Sequence, residues 1–213
     1  ITPLEKERIS DPEAALDGRP LRLSSVRVCS PIPHPEQDII CLGVNYAAHA
    51  DESAQFDRKA FLLDRKKATY FSKRAYQTSG PDDLIPSYPE LVTSLDYEAE
   101  LAVIIGRDCK NVCERDAAAC IFGYTVLNDV SARNLQTEHN QWYFGKSLDG
   151  FTPMGPCIVT EDEIPYPPAL SISSTVNGEL RQNSNTKYLL HSISEIIAEL
   201  SQGMTLRAGT IIA

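Results

Sequence analysis

Short apolar runs separated by turn-forming residues dominate this chain, and few of them repeat with the helical period. Strands are predicted at residues 39–44, 69–73, 98–105, 124–128, 156–160, 170–176 and 210–212. Asn177-Gly178 is the strongest hairpin signal, because a type I′ turn needs two positive φ angles. Helical patterning is rarer. Ser192 with Glu195 three residues on forms a capping box, and Ile193, Ile196, Ile197 and Leu200 then fall on one helix face. Shorter helices are predicted at 46–53 behind Asn45, at 114–120, and at 131–136 behind Asp129. The balance points to a β-rich α+β domain rather than an alternating βαβ fold. Residues 1–38 are polar and proline-rich, with one alternating stretch at 21–29, and read as an N-terminal arm or small subdomain. Pro31, Pro33 and Pro35 form the linker into a main domain over 39–213.

One predicted strand carries an anomaly. Glu98 and Glu100 are one residue apart in the otherwise apolar segment from Leu95 to Gly106. Side chains alternate along a strand, so both carboxylates share a face with Ala102 and Ile104, while Leu101 and Val103 take the other. A strand apolar on both faces is usually buried on both. Like charges in a dry place are costly unless neutralised, and a hard divalent cation with oxygen ligands would neutralise them. A strand end with two solvated glutamates is the other reading.

Composition narrows the partners. The chain has 213 residues, enough for one well-cored domain, and 20 basic against 29 acidic residues give a net charge of −9. Nucleic acid is not expected as a partner, because phosphate binding needs a basic footprint. No apolar run approaches the roughly 20 residues of a membrane helix, and the chain opens without a signal-peptide pattern. The six cysteines are scattered without a C-x-x-C pair, and no N-glycosylation sequon occurs. Cys41 and Cys157 lie in strand-like stretches, where a free thiol acts as a small hydrophobe. Reduced thiols in a cytoplasmic protein are expected. The chain opens without Met and stops inside an apolar run, so a piece of a longer protein is expected.

Other residues could carry chemistry. Asp129 ends a predicted strand beside a helix start, where it is either an N-cap or a third carboxylate ligand completing an octahedral Mg site with Glu98 and Glu100. His49 and Glu52 fall at i and i+3 of a predicted helix, so the carboxylate can orient the imidazole as a general base; a surface pair is the alternative. Lys146 follows the aromatic run Trp142-Tyr143-Phe144-Gly145 and either meets a developing oxyanion or snorkels to solvent. Lys73, after Tyr70-Phe71-Ser72, has the same two readings.

The order of these motifs resembles the fumarylacetoacetate hydrolase family. The matching segments are GVNYAAHADES (43–53), YFSK (70–73), LDYEAELAVIIGR (95–107), GYTVLNDVSARNLQ (123–136), QWYFGKSLDGFTPMGP (141–156) and VNGELRQ (176–182). The resemblance implies a β-rich roll of mixed sheets, commonly homodimeric. It implies Glu98, Glu100 and Asp129 as ligands of Mg or Mn, and His49 with Glu52 as a water-activating dyad on a mobile lid. It implies Lys146 facing a substrate oxygen, with Lys73 and Gln136 as polar lining of a small oxo-acid site. The family's Gly-Thr-Pro loop, whose Thr contacts the substrate carboxylate, is expected just past Ala213. The activity implied first is metal-dependent hydrolysis of a C–C bond in a 2,4-dioxo acid of acylpyruvate or fumarylpyruvate type, releasing pyruvate. Isomerisation or hydration of 2-oxo-dienoates in aromatic catabolism and oxaloacetate decarboxylation are the enzymatic alternatives. A non-catalytic metal- or ligand-binding member is the alternative of another class.

Overall fold

The computed structural model describes residues 26–46 and 67–213. In chain order the elements are β1 (Ile39–Gly43), β2 (Thr69–Lys73), β3 (Leu95–Asp96), β4 (Ala99–Ile105), α1 (Glu114–Ala117), a 3-10 turn (Ala118–Cys120) and β5 (Ile121–Asn128). There follow β6 (Ser131–Ala132), α2 (Arg133–Glu138), α3 (Tyr143–Lys146), β7 (Met154–Thr160), β8 (Ser171–Val176), β9 (Glu179–Asn185), a second 3-10 turn (Thr186–Tyr188), α4 (Ile193–Gly203) and β10 (Ile211–Ile212). Strands outweigh helices, as the patterning predicts. His49, Glu52 and the predicted helix at 46–53 fall wholly or mainly outside the described residues, as does most of the N-terminal arm.

The main sheet runs β2-β1-β10-β4-β5-β7. Only β1 and β10 pair in parallel; the other neighbours are antiparallel. The smaller ladders are β3-β6 and the β8-β9 hairpin, whose turn residues Asn177 and Gly178 have φ of 53° and 80° as a type I′ turn demands.

Strand β4 is buried on both faces. Val103 and Ile105 pack on one side with Tyr124, Ile212 and the apolar stripe of α4, namely Ile193, Ile196, Ile197 and Leu200. Ala102 and Ile104 pack on the other with Ile39, Cys41, Phe122, Leu127 and Ile211. Each isoleucine or leucine so buried contributes about 1.5–3 kcal/mol. The capping box of α4 is complete: Ser192 Oγ accepts from Glu195 N at 3.2 Å, and Glu195 Oε2 accepts from Ser192 N at 2.6 Å.

Two expectations are corrected. The predicted helix at 131–136 opens instead as β6, because Ser131 and Ala132 pair with Asp96 and Leu95; the helix begins only at Arg133. Strand β9 has no strand pattern of its own, since the residues from Glu179 to Asn185 are largely polar and exposed, and only the Asn177-Gly178 turn points to it. Cys157 is exposed, because β7 is an edge strand of the main sheet.

Curvature of the sheet positions the site. In the strand order β2 and β5 are four steps apart, which in a flat sheet at about 4.8 Å per step would be roughly 19 Å. Yet Lys73 at the end of β2 lies 2.8 Å from the carboxylate of Asp129, just past β5. The sheet therefore curls into a roll, and its concave side gathers side chains from strands far apart in the order.

Candidate functional site

The centre of the site is a rung between β4 and β5. Ala99 pairs with Asn128, so Glu98 and Asp129 are the next opposed positions, and Asp129 N donates to the Glu98 carbonyl at 2.8 Å. Glu98 itself precedes β4 by one residue, and its N–H goes to the side chain of Asn128 at 3.0 Å. Both carboxylates are buried, at 7% and 3% exposure, and Glu100 is partly buried two residues along the strand.

Two lysines reach this rung. Lys146, on the last position of α3 and 1% exposed, donates to Glu98 Oε2 at 2.6 Å and to Asp129 Oδ2 at 2.7 Å. Its ammonium also lies 5.2 Å from the centre of the Phe71 ring. The snorkelling alternative for Lys146 is thereby excluded. Gly145 lets α3 come close enough: a Cβ there would meet Gln136 N at 2.5 Å and the Ala132 carbonyl at 2.8 Å. Lys73, fully buried, places its ammonium 2.8 Å from Asp129 Oδ1 and donates to the carbonyls of Val130, at 3.2 Å, and Lys146.

Arg133 is a site residue that the patterning did not reveal. Its guanidinium lies 2.6 Å from Glu98 Oε1 and 2.7 Å from Asp96 Oδ2, and donates to Gln136 Oε1 at 2.8 Å. A signal for it existed: Asp96, Glu98 and Glu100 are spaced by two, so an acidic stripe continues backwards along the strand and calls for a further cation. Gln136 is 1% exposed and occupied by this contact. Asp129 is not a helix N-cap, since that position is Ala132 and has no side-chain cap.

Charge balance explains the proton states. Burial would raise the Asp129 carboxyl, but the ammonium groups of Lys73 and Lys146 outweigh it and hold the value down at about 2. Burial lowers Lys146, yet Asp129 and Glu98 more than offset that and keep it raised, so it is an ammonium at neutral pH. Glu100 moves the other way: burial first, then Glu98 and Asp129, push it well above the ordinary range.

The expected metal ligands are not gathered into a ready cage. Among the described residues no group of three Asp, Glu, His or Cys side chains is arranged to hold an ion, and the Lys146 ammonium sits between Glu98 and Asp129. The donor chemistry nonetheless suits a hard divalent cation. All donors are carboxylate oxygens, no hydrogen bond is aligned on Asp129 Oδ1 although Lys73 lies nearby, and Glu100 is repelled by its neighbours. A cation here would require Lys146 to shift.

Residues 38–213 match the model of the fumarylacetoacetate (FAA) hydrolase C-terminal region. The chain belongs to the fumarylacetoacetate hydrolase family. Among its relatives is oxaloacetate tautomerase YisK of Bacillus subtilis, 43% identical over 191 residues, which are 90% of this chain and 62% of that protein. The chain thus spans less than two thirds of the length of this curated relative. A solved fumarylacetoacetate hydrolase from the psychrophile Exiguobacterium antarcticum superposes with a TM-score of 0.79 and 42% identity, covering 93% of this chain and 68% of that one. Maleylpyruvate hydrolase from Sphingobium sp. SYK-6 superposes with a TM-score of 0.75 and 34% identity, covering 98% and 70%. The fold is the family's β-rich mixed-sheet roll.

Proposed function

We propose that this chain carries the active site of a divalent-metal-dependent enzyme that enolises a small 2-oxo acid, with keto–enol tautomerisation of an oxaloacetate-type substrate as its reaction. The observation that carries the reading is the buried rung of Glu98 and Asp129 with the Lys146 ammonium set between the two carboxylates. Identity of 43% to an oxaloacetate tautomerase supports it.

Glu98, Glu100 and Asp129 would hold Mg or Mn. Bound there, the cation would polarise the 2-oxo group and offset the charge that develops on its oxygen. Lys146, moved aside from Glu98 and Asp129 when a cation binds, would donate a hydrogen bond to that oxygen, and the proton that completes the enol comes from water in exchange for the one His49 takes and releases. Arg133 holds Glu98 in place from behind, tied in turn to Asp96 and Gln136. His49, oriented by Glu52, is the base that takes the proton from C3.

A second reading keeps the same residues and changes what His49 deprotonates. If it activates water against the distal carbonyl of a 2,4-dioxo acid, the C–C bond breaks and pyruvate leaves as its enolate. The i, i+3 spacing of His49 and Glu52 and the similarity to maleylpyruvate hydrolase favour keeping this reading. A homodimer in the cytoplasm is part of the same proposal, and light scattering of the purified protein tests the assembly.

The deciding experiment uses the full-length protein with Mg, with Mn and with chelator. Oxaloacetate is followed by the ultraviolet absorbance of its enol, and a panel of acylpyruvates by pyruvate release. Metal-dependent interconversion of enol and keto oxaloacetate without pyruvate from the panel is the expected result. Pyruvate release from an acylpyruvate would move the assignment to the hydrolase. Neither activity, from folded and metal-loaded protein, would sink both.

A further inference from the structure

Lys73 is the most deeply buried cation of the site among the described residues, and the neighbours of its ammonium are oxygens of the chain itself. It has no exposed surface. Its ammonium has three N–H bonds and faces as many oxygens: Asp129 Oδ1 at 2.8 Å, the Val130 carbonyl at 3.2 Å and the Lys146 carbonyl. These oxygens belong to separate parts of the chain. Asp129 and Val130 form the link from β5 to β6, and Lys146 ends α3. Moving an ammonium into a dry interior costs several kcal/mol unless its partners are well placed, and the partners here are one carboxylate and two backbone carbonyls of the chain.

We propose that Lys73 is a positioning residue that fixes Asp129 and the backbone bearing Lys146 as one unit, rather than a residue that contacts substrate. Through Asp129 it sets one of the two carboxylates flanking the Lys146 ammonium. Through the Lys146 carbonyl it anchors the short helix that delivers that ammonium. An α3 of four residues, Tyr143–Lys146, has little hydrogen bonding of its own to hold its last residue still. The curled sheet is what brings β2 into reach, so the roll acts on the site through this side chain.

A double-mutant cycle on the full-length, metal-free protein tests the coupling, with thermal melting as readout: Lys73→Met, Asp129→Asn and the pair. Lys73→Met is expected to lower Tm by about 5 °C or more in the native background and by clearly less beside Asp129→Asn, where no carboxylate is left stranded. Equal shifts in both backgrounds would overturn the proposal. If Lys73→Met does not fold, Lys73→Gln, which keeps one donor for the carbonyls but no charge, enters the same cycle.

The kinetic arm rests on the proposed 2-oxo acid activity; the melting cycle does not. A positioning role predicts a fall in kcat of about tenfold or more with KM nearly unchanged. A rise in KM of about tenfold with kcat kept would make Lys73 a substrate contact instead. Should the native protein turn over no 2-oxo acid, the functional reading fails and the melting cycle still decides the role of Lys73.

Discussion

Asp129 donates its backbone N–H to the carbonyl of Glu98 at 2.8 Å. That bond sets two buried carboxylates side by side where β4 begins and β5 ends. The repulsion this creates is answered by Lys146 bridging both, Lys73 behind Asp129 and Arg133 behind Glu98.

Replacing Lys146 with Met leaves Glu98 and Asp129 facing each other without the bridging ammonium. Loss of a preorganised donor of this kind is expected to reduce kcat by roughly 10²–10³-fold. The full-length variant, assayed with oxaloacetate beside the native protein, checks this. A change of less than about threefold would remove Lys146 from the chemistry.

Glu100 gives a pH signature. Its folded value is raised well above the ordinary 4.5 by burial and by Glu98 and Asp129. For an acid raised on folding, the stabilising protonated form is present below the unfolded value and its contribution fades as pH rises through the higher folded value. In metal-free protein Glu100→Gln should therefore melt close to the native protein near pH 4 and progressively above it towards pH 8. Manganese should raise the Tm of the native protein and hardly that of the variant, because a ligand is lost. Melting curves across pH, with and without the ion, read both.

At Gly145 two effects oppose each other. Alanine favours a helix by up to about 1 kcal/mol over glycine. Its Cβ would meet the backbone N of Gln136 at 2.5 Å and the Ala132 carbonyl at 2.8 Å, neither of which can rotate away. Overpacking against backbone costs about 1–3 kcal/mol, so the clash should win. Gly145→Ala is expected to lower stability in urea and to cost activity as well, by pushing Lys146 off Glu98 and Asp129.

Arg133→Met strips Glu98 Oε1 and Asp96 of their shared partner. The Arg133 side chain is 25% exposed, which tempers the full cost of breaking a buried pair, and a loss of about 2 kcal/mol is expected in equilibrium unfolding. Arg133→Lys should recover only part of it, since one ammonium cannot serve Glu98, Asp96 and Gln136 in a fixed fork.

The sequence by itself determined the elements whose reasons are local. Alternation and apolar runs marked the strands of the main sheet, Asn177-Gly178 marked the turn of the separate β8-β9 hairpin, and Ser192 with Glu195 marked the start of α4. The period-two spacing of Glu98 and Glu100 also marked the site. Local pattern failed where long-range pairing decided the outcome: Ser131 and Ala132 extend because β3 is beside them, and the polar β9 exists because β8 supplies its partner. Only the tertiary structure decided what the lysines do. Lys73 and Asp129 are far apart in the chain and four strands apart in the sheet, and no spacing rule links them. Curvature of the sheet, set by twist and packing over the whole domain, closed that gap and turned scattered charges into one balanced cluster.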